Sequence, residues 1–426
     1  MKKTFCLLAA LLLASIASQA QWLTLNTANS GLHSDVVREV AVADNGTLWV
    51  ATQTAVQKYD GTSWTTYTQA DGLDYTAIKC VAVRGTTVWV GHDRGLSRFD
   101  GTSWINFTNA ADLPVGLFGG NDRTINDVVI QANGTIWLAG SRGLGRYNGT
   151  SWTKFNRANS GLNEEAVTAL ALDEALNTLW IGTNCLSLQS GVYSLNTLNL
   201  AWRYYSLPGG NCVHGLAVGN TGTVFVGTCN ASGLTTIDAG TGTVGSVSVS
   251  GCVALDGVAA DPTDPTRAWV VAEPMGPATS PRGLLAYSAQ SGGSVTREFN
   301  VGNSALPSPW VTSVAVQPVG SALKVWVGTT DRGLAVYETV VTAPRPARAA
   351  VALQLLPNPA TDAVEVRTDL SQYELSVYDN AGRLRHRQQV RGSQPLRLPV
   401  LGWARGLYHV RLRSEQGSGY ARFSKS

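Results

Sequence analysis

The chain has 426 residues, of which only 14% are charged and 44% hydrophobic, with 45 Gly and 13 Trp. This profile excludes a helical bundle and fits many short strands joined by tight turns. The net charge of +3 forms no dense Lys/Arg stripe of the kind a phosphate backbone demands, so nucleic acid is excluded as a partner.

Residues 1–20 read as a signal peptide. Lys2 and Lys3 precede an apolar run from Phe5 to Ala17, and Ser18-Gln19-Ala20 supplies the small residues that a signal peptidase needs. The run is short for a membrane span, and no later stretch approaches that length. The mature chain is therefore expected to begin near Gln21 and to carry no transmembrane segment.

From there an aromatic flanked by β-branched or aliphatic residues recurs: Trp49, Trp89, Trp137, Trp180, Phe225, Trp269 and Trp326, at spacings of 40, 48, 43, 45, 44 and 57 residues. That period is the length of a four-stranded propeller blade. Each copy has an alternating first strand such as Val36–Val42, then the aromatic strand. A loop ending in Gly-Leu leads to a third strand such as Leu96–Phe99, and a fourth begins Ser-Trp. Asn45-Gly46, Asp60-Gly61, Asp100-Gly101 and Asn148-Gly149 suit two-residue hairpin turns, which need positive φ. Fourth strands are expected at 64–67, 104–107, 152–155, 202–205, 246–250 and 295–299. The seventh copy stops at Tyr337 without one, and Trp22–Leu25 is an orphan strand of the right kind. The expectation is an all-β, seven-bladed β-propeller over residues 21–338, closed by its N-terminal strand so that no edge is exposed. The recurrent Trp residues are expected to pack between blades; a sugar-stacking array is the alternative.

The pattern Gly31-Leu32…Asn45-Gly46-Thr47-Leu48-Trp49-Val50, together with Trp326-Val327-Gly328-Thr329…Gly333-Leu334, resembles the two-component regulator propeller repeat. That repeat is found in periplasmic sensor halves of hybrid histidine kinases. Copies five and six depart from it: Phe225 replaces Trp, and Glu273–Pro277 enlarges a loop. This sequence has no kinase or DNA-binding region, so signalling by that route does not carry over.

Ala343-Pro344-Arg345-Pro346-Ala347 marks a linker over residues 339–352. Beyond it, residues 353–426 hold 11 basic and 6 acidic side chains, against an acidic excess in residues 21–338. Leu355-Leu356-Pro357-Asn358-Pro359, then Val377-Tyr378-Asp379-Asn380-Ala381-Gly382-Arg383, then Gly406-Leu407-Tyr408-His409-Val410 resembles the C-terminal sorting domain of type IX secretion, type A. Its alternating strands read as a small β-sandwich. The resemblance implies passage through the periplasm, engagement of the type IX machinery, and a secreted or outer-membrane-surface location.

Five cysteines follow the signal peptide, as an oxidising destination permits. Cys185 and Cys229 follow the aromatic strands of copies four and five, while Cys212 and Cys252 open the next first strands. Cys185–Cys212 and Cys229–Cys252 would thus be one inter-blade staple used twice. Cys80 is expected as a buried free thiol.

Catalytic motifs are not found: there is no HExxH, no phosphate-cradling glycine loop and no nucleophile elbow. No cofactor and no metal site are assigned. His33 and His214 fall at equivalent points near the start of a first strand, with His92 in a loop of the same face; a metal or acid/base cluster from them is the lesser reading, and Glu164-Glu165 and Asp261/Asp264 read as solvated loop charges. Loops 109–124, 156–165, 184–191 and 273–283 are long and variable, and share one face of the ring. On that face Arg94, Arg142, Arg282 and Arg332 each precede a glycine, with His92 nearby. They are candidates to grip an anionic ligand, unless each pairs locally with a neighbour such as Asp93 or Asp331. The favoured function is a non-enzymatic surface or secreted protein that binds a glycan or another macromolecule. The alternative is a propeller enzyme acting on polysaccharide, a lyase or glycosidase.

Overall fold

The computed structural model describes residues 21–74, 77–108, 113, 123–184, 190–208, 212–229, 233–248, 252–273, 283–289, 293–320, 322–339, 349–350, 353–379, 384–392, 394–414 and 417–426. It divides into two compact units, Met1–Val340 and Val341–Ser426. Among the described residues no helix is long and apolar enough to cross a membrane.

The first unit holds seven four-stranded antiparallel sheets. In sheets one to six the strands pair in chain order. The first strands are Val37–Val42, Ile78–Arg84, Ile125–Ile130, Val167–Asp173, Val213–Val218 and Cys252–Ala260. The seventh sheet differs: its first three strands are Val311–Val319, Ala322–Thr329 and Leu334–Glu338, and the fourth is Gln21–Leu25. Trp22 lies opposite Tyr337 and Leu25 opposite Leu334, so the first described strand completes the last sheet.

Each of the seven periodic aromatics lies on a second strand, whose residues are buried on both faces. Trp137, Trp180 and Phe225 are wholly enclosed, and Trp49, Trp89, Trp269 and Trp326 nearly so. Seven apolar clusters explain this burial, one at each boundary between neighbouring sheets. Trp49 of sheet one meets Val88 and Phe99 of sheet two. Trp326 of sheet seven meets Val40 and Val50 of sheet one. A single sheet could not cover these side chains; its neighbour does, and the series returns to its start. Trp bodies at these positions are core, with no face left for stacking a sugar.

Glycine is required where the third strand begins. Gly143 has φ +136° and Gly333 has φ +79°. An added Cβ would collide with the carbonyl oxygen of the adjoining fourth strand, Phe155 for Gly143 and Leu25 for Gly333. Leu25 of the N-terminal strand therefore stands where Phe155 stands in sheet three. The fourth strand of sheet five, expected at 246–250, is found at Val244–Ser248.

The 156–165 segment, expected as a variable binding loop, is instead a repeated connector. In Asn26–Leu32, Asn156–Leu162 and Asn300–Leu306 the same bonds recur. The second Asn accepts the first one's N–H, and Ser Oγ donates to the first Asn carbonyl. The closing Leu is buried under the sheets.

The second unit pairs a five-stranded sheet, ordered 349–350, 417–425, 406–413, 372–379 and 384–391, with a three-stranded sheet ordered 354–356, 363–367 and 396–399. Both sheets contribute to one core that includes Val364, Val366, Leu375, Val377, Val410 and Phe423.

Candidate functional site

Four of the second-to-third-strand turns, among them the one that carries Arg332, are built by a shared device. Thr52, Thr183, Thr228 and Thr329 end their second strands. Their hydroxyls donate to the carbonyls of Ala55 (2.9 Å), Gly191 (3.1 Å), Gly233 (3.2 Å) and Gly333 (2.8 Å). In sheet two His92 occupies this position. Nδ1 accepts the N–H of Arg94 (3.3 Å), and Nε2 meets Ser97 Oγ (3.2 Å), which donates to Asn106 Oδ1 (2.7 Å). The ring is fully buried, and burial pushes its pKa down to about 4 against the pull of Asp74 and Asp93. His92, expected in a loop, is a buried turn-closing residue: its Nδ1 accepts the N–H of Arg94 as Thr329 Oγ1 accepts that of Arg332.

Arg94, Arg142 and Arg332 are exposed on their turns. Arg332 reaches Asp331 (3.7 Å), and Asp93 is engaged by Lys79 (3.4 Å). Among the described residues no ion pair engages Arg142. Arg282 lies outside the described residues.

A second set of side chains becomes visible only with the strand pairing known. The pairing of first with second strands slips by at least one residue near the start of every first strand: after Val37, Ile78, Ile125, Val167, Val213, Val253 and Val311. Four of the extra residues reach sideways to the first strand of the next sheet. Asn126 Nδ2 donates to Val167 O (2.8 Å), Thr168 Oγ1 to Val213 O (2.7 Å), and His214 Nδ1 to Val253 O (3.0 Å). Thr312 Oγ1 donates to Val37 O (3.0 Å), from the seventh sheet to the first. In sheets one and two the corresponding residues are Arg38 and Lys79, and both are exposed. Register places them at the same end as the candidate turns, since Val37 lies opposite Thr52 and Ile78 opposite His92.

Carboxylates one position further on join sheets as well. Glu39 accepts the N–H of Val81, while Asp127 accepts those of Val128 (2.6 Å) and Leu170 (2.6 Å). Burial raises the Asp127 pKa toward neutrality despite these two donors. Asp261, expected to be solvated, is 1% exposed and accepts from Thr263 and Trp269; Glu164 is buried too.

Cys229 and Cys252 form a disulfide. Cys212 is also disulfide-bonded, Cys185 lies outside the described residues, and Cys80 is a buried free thiol. His214, Cys229 and Cys252 are a group of potential metal ligands within 4.8 Å of one another among the described residues. With the two sulfurs bonded to each other, they offer no thiolates to an ion. His33 is exposed ahead of the first strand of sheet one, five residues short of the bulge that His214 occupies in sheet five, so the two are not equivalent.

At the opposite end of the sheets a cleft of about 430 Å³ is lined by Gln131, Asn133, Arg146, Asn148, Glu174 and Asn177. Glu174 is committed, accepting from Arg84 (2.7 Å) and from the N–H of Ala132 (2.7 Å), and the Arg146 guanidinium lies over the Trp137 ring (5.7 Å).

Residues 354–425 match the family model described as the secretion system C-terminal sorting domain. The second unit is a sorting domain. No curated protein matches the chain. Among solved structures the chain is similar to PorZ, an essential bacterial surface component of the type-IX secretion system of Porphyromonas gingivalis. That match has 17% identity and a TM-score of 0.58 over 94% of this chain and 61% of PorZ. It is similar to the extracellular domain assigned to a hybrid two-component system of B. thetaiotaomicron (16%, TM-score 0.55, 95% of this chain and 54% of that one). A third likeness is to virginiamycin B lyase from Staphylococcus aureus (13%, TM-score 0.56, 76% and 99%). At such identities the likeness carries the fold: the first unit is all-β and propeller-like. The chain spans only 61% and 54% of the first two structures. The sorting domain implies engagement of the type IX machinery and a cell-surface or secreted destination.

Proposed function

We propose that this chain is a non-enzymatic binding protein of the cell surface or medium, whose seven sheets act as the blades of one propeller with a cationic end for an anionic glycan. In this reading residues 1–20 are a signal peptide, 21–338 the seven-bladed propeller and 339–352 a linker. Residues 353–426 are a β-sandwich that directs export, and Cys185–Cys212 repeats the Cys229–Cys252 staple one blade earlier.

The observation that carries the ligand class is the exposure of Arg38 and Lys79 at the bulge positions. Sheets three, four, five and seven use those positions for inter-sheet hydrogen bonds. Arg94, Arg142 and Arg332 stand at the same end on second-to-third-strand turns. Arg38 and Arg142 are unengaged by ion pairs among the described residues. The Lys79–Asp93 and Arg332–Asp331 pairs are exposed and exchange readily for a ligand carboxylate or sulfate.

The test is calorimetry of the mature chain with uronate-bearing, sulfated and neutral polysaccharides at two salt concentrations. Binding confined to the acidic glycans, weakened by salt and by about tenfold in Arg38→Ala/Arg142→Ala, is the expected result. Equal binding of neutral glycans, or an Arg94→Ala/Arg142→Ala/Arg332→Ala variant with unchanged affinity for every anion, ends the proposal.

A further inference from the structure

The five-stranded sheet of the sorting domain packs one face on the core, and its other face carries exposed arginines around a buried Ser376. Tyr373, Leu375 and Val377, Tyr408, Val410 and Leu412, and Phe423 point into the core. Strand alternation sends their neighbours outward. Register then aligns Arg387, Ser376 and Arg411 in one row across three strands, and Tyr378, His409 and Arg422 in the next. Arg391 extends the face opposite Gln372. Arg387, Arg391, Arg411 and Arg422 are all exposed.

Among the described residues one carboxylate shares this surface. Glu374 accepts from Arg387 (2.9 Å) and from Gln389 (3.2 Å), so it is already committed. Neighbouring strands lie roughly 5 Å apart, and successive outward residues about 7 Å apart. Arg411 and Arg422 are diagonal neighbours on adjacent strands, where like charges repel, and Arg387 and Arg391 lie on the strand beyond Ser376. In the three-stranded sheet outward Glu365 sits opposite Arg397 and bonds Arg367 (2.6 Å), so one carboxylate meets two guanidinium groups. The larger face, with four exposed arginines and Glu374, carries more of the basic excess of residues 353–426.

We propose that this arginine face is the docking surface for an acidic protein surface of the export machinery. The inference rests on the sorting-domain assignment and adds the face that is read. A flat sheet with rows of guanidinium groups offers bidentate contacts to carboxylates at fixed spacing. Such a partner relieves repulsion within the array and steers encounter through complementary charge.

The test follows the full chain in a cell with working type IX export, measured as the fraction reaching the surface or medium against the fraction held in the periplasm. Arg411→Glu/Arg422→Glu is expected to lower the exported fraction about tenfold, with folded protein accumulating in the periplasm. Arg411→Gln/Arg422→Gln should fall between this and wild type, and Arg397→Glu on the other sheet should export normally. Thermal unfolding of each purified chain separates a docking defect from a folding defect. Normal export of the reversal variant, where deletion of residues 354–425 blocks export, overturns the proposal and leaves the sorting assignment intact. Export that survives the deletion overturns the assignment itself. Normal export combined with lost binding of the reversal variant to vesicles of phosphorylated glycolipid also overturns the proposal, and assigns the face to lipid.

Discussion

Sheets three, four, five and seven use the bulged residue of the first strand as a strut, whereas sheets one and two do not. Asn126, Thr168, His214 and Thr312 are short or stiff donors, and each satisfies a carbonyl of the neighbouring sheet. Arg38 and Lys79 occupy the same place and remain exposed. A repeat fold needs only enough struts to hold register between neighbours, since the apolar clusters supply most of the stabilisation. Positions released from that duty are where surface chemistry can differ from blade to blade.

The largest expected effect is on the apolar side of this division. Trp326 packs across the boundary between the seventh and first sheets. Its Nε1 donates to Gln317 Oε1 (2.9 Å), and Gln317 Nε2 donates to Gly46 O (2.9 Å). Trp326→Ala should cost about 3–5 kcal/mol in urea unfolding, as a large buried aromatic does. A cost below about 1 kcal/mol would show that this boundary does not hold the ring closed.

Asp127 tests the polar inter-sheet ties. Asp127→Ala leaves the N–H of Leu170 without its acceptor, and roughly 1–3 kcal/mol of destabilisation is expected. Because burial raises the folded pKa above the unfolded value near 3.8, the folded state holds its proton longer. Wild-type stability should therefore fall as pH rises from about 4 toward neutrality, and Asp127→Ala should remove that component. A pH–stability curve unchanged by the substitution would refute the assignment.

His92 gives the opposite sign. Its folded pKa, pushed down to about 4, lies below the ordinary value of 6.5, so the unfolded chain protonates first. Stability should be lost as pH falls from about 6.5 toward 4, and His92→Gln should flatten that window in the same unfolding experiment.

How much of this was legible in the sequence follows from what each feature is made of. The sheet count and closure were written in large aromatics at a fixed period and in Asn-Gly and Asp-Gly turns, which carry strong local signals. The C-terminal unit was legible through ordered motifs. The bulges were not, because a slip of pairing changes no residue type. Arg38, Lys79, Asn126, Thr168, His214 and Thr312 are seen to share a position only once strand register is known. A signal existed: each directly follows the first buried aliphatic of its first strand, Val37, Ile78, Ile125, Val167, Val213 or Val311. His92 was misplaced because it was read as a histidine; the row Thr52, Thr183, Thr228 and Thr329 identifies its position. The 156–165 loop looked variable only until its Asn and Ser bonds matched those of 26–32 and 300–306.

The smallest effects discriminate best between strut and free cation. Thr312→Val removes one inter-sheet hydrogen bond while keeping the shape of the side chain, and should cost about 1 kcal/mol in unfolding. Arg38→Ala, at the equivalent place one sheet on, removes no side-chain hydrogen bond or ion pair among the described residues and should stay within about 0.5 kcal/mol of wild type. If Arg38 contributes to ligand capture, the same substitution lowers affinity for an acidic glycan and reduces its salt dependence, while the unfolding curve does not move. A stability loss in Arg38→Ala equal to that in Thr312→Val would make the arginine another strut, and the division between the two groups of sheets would disappear.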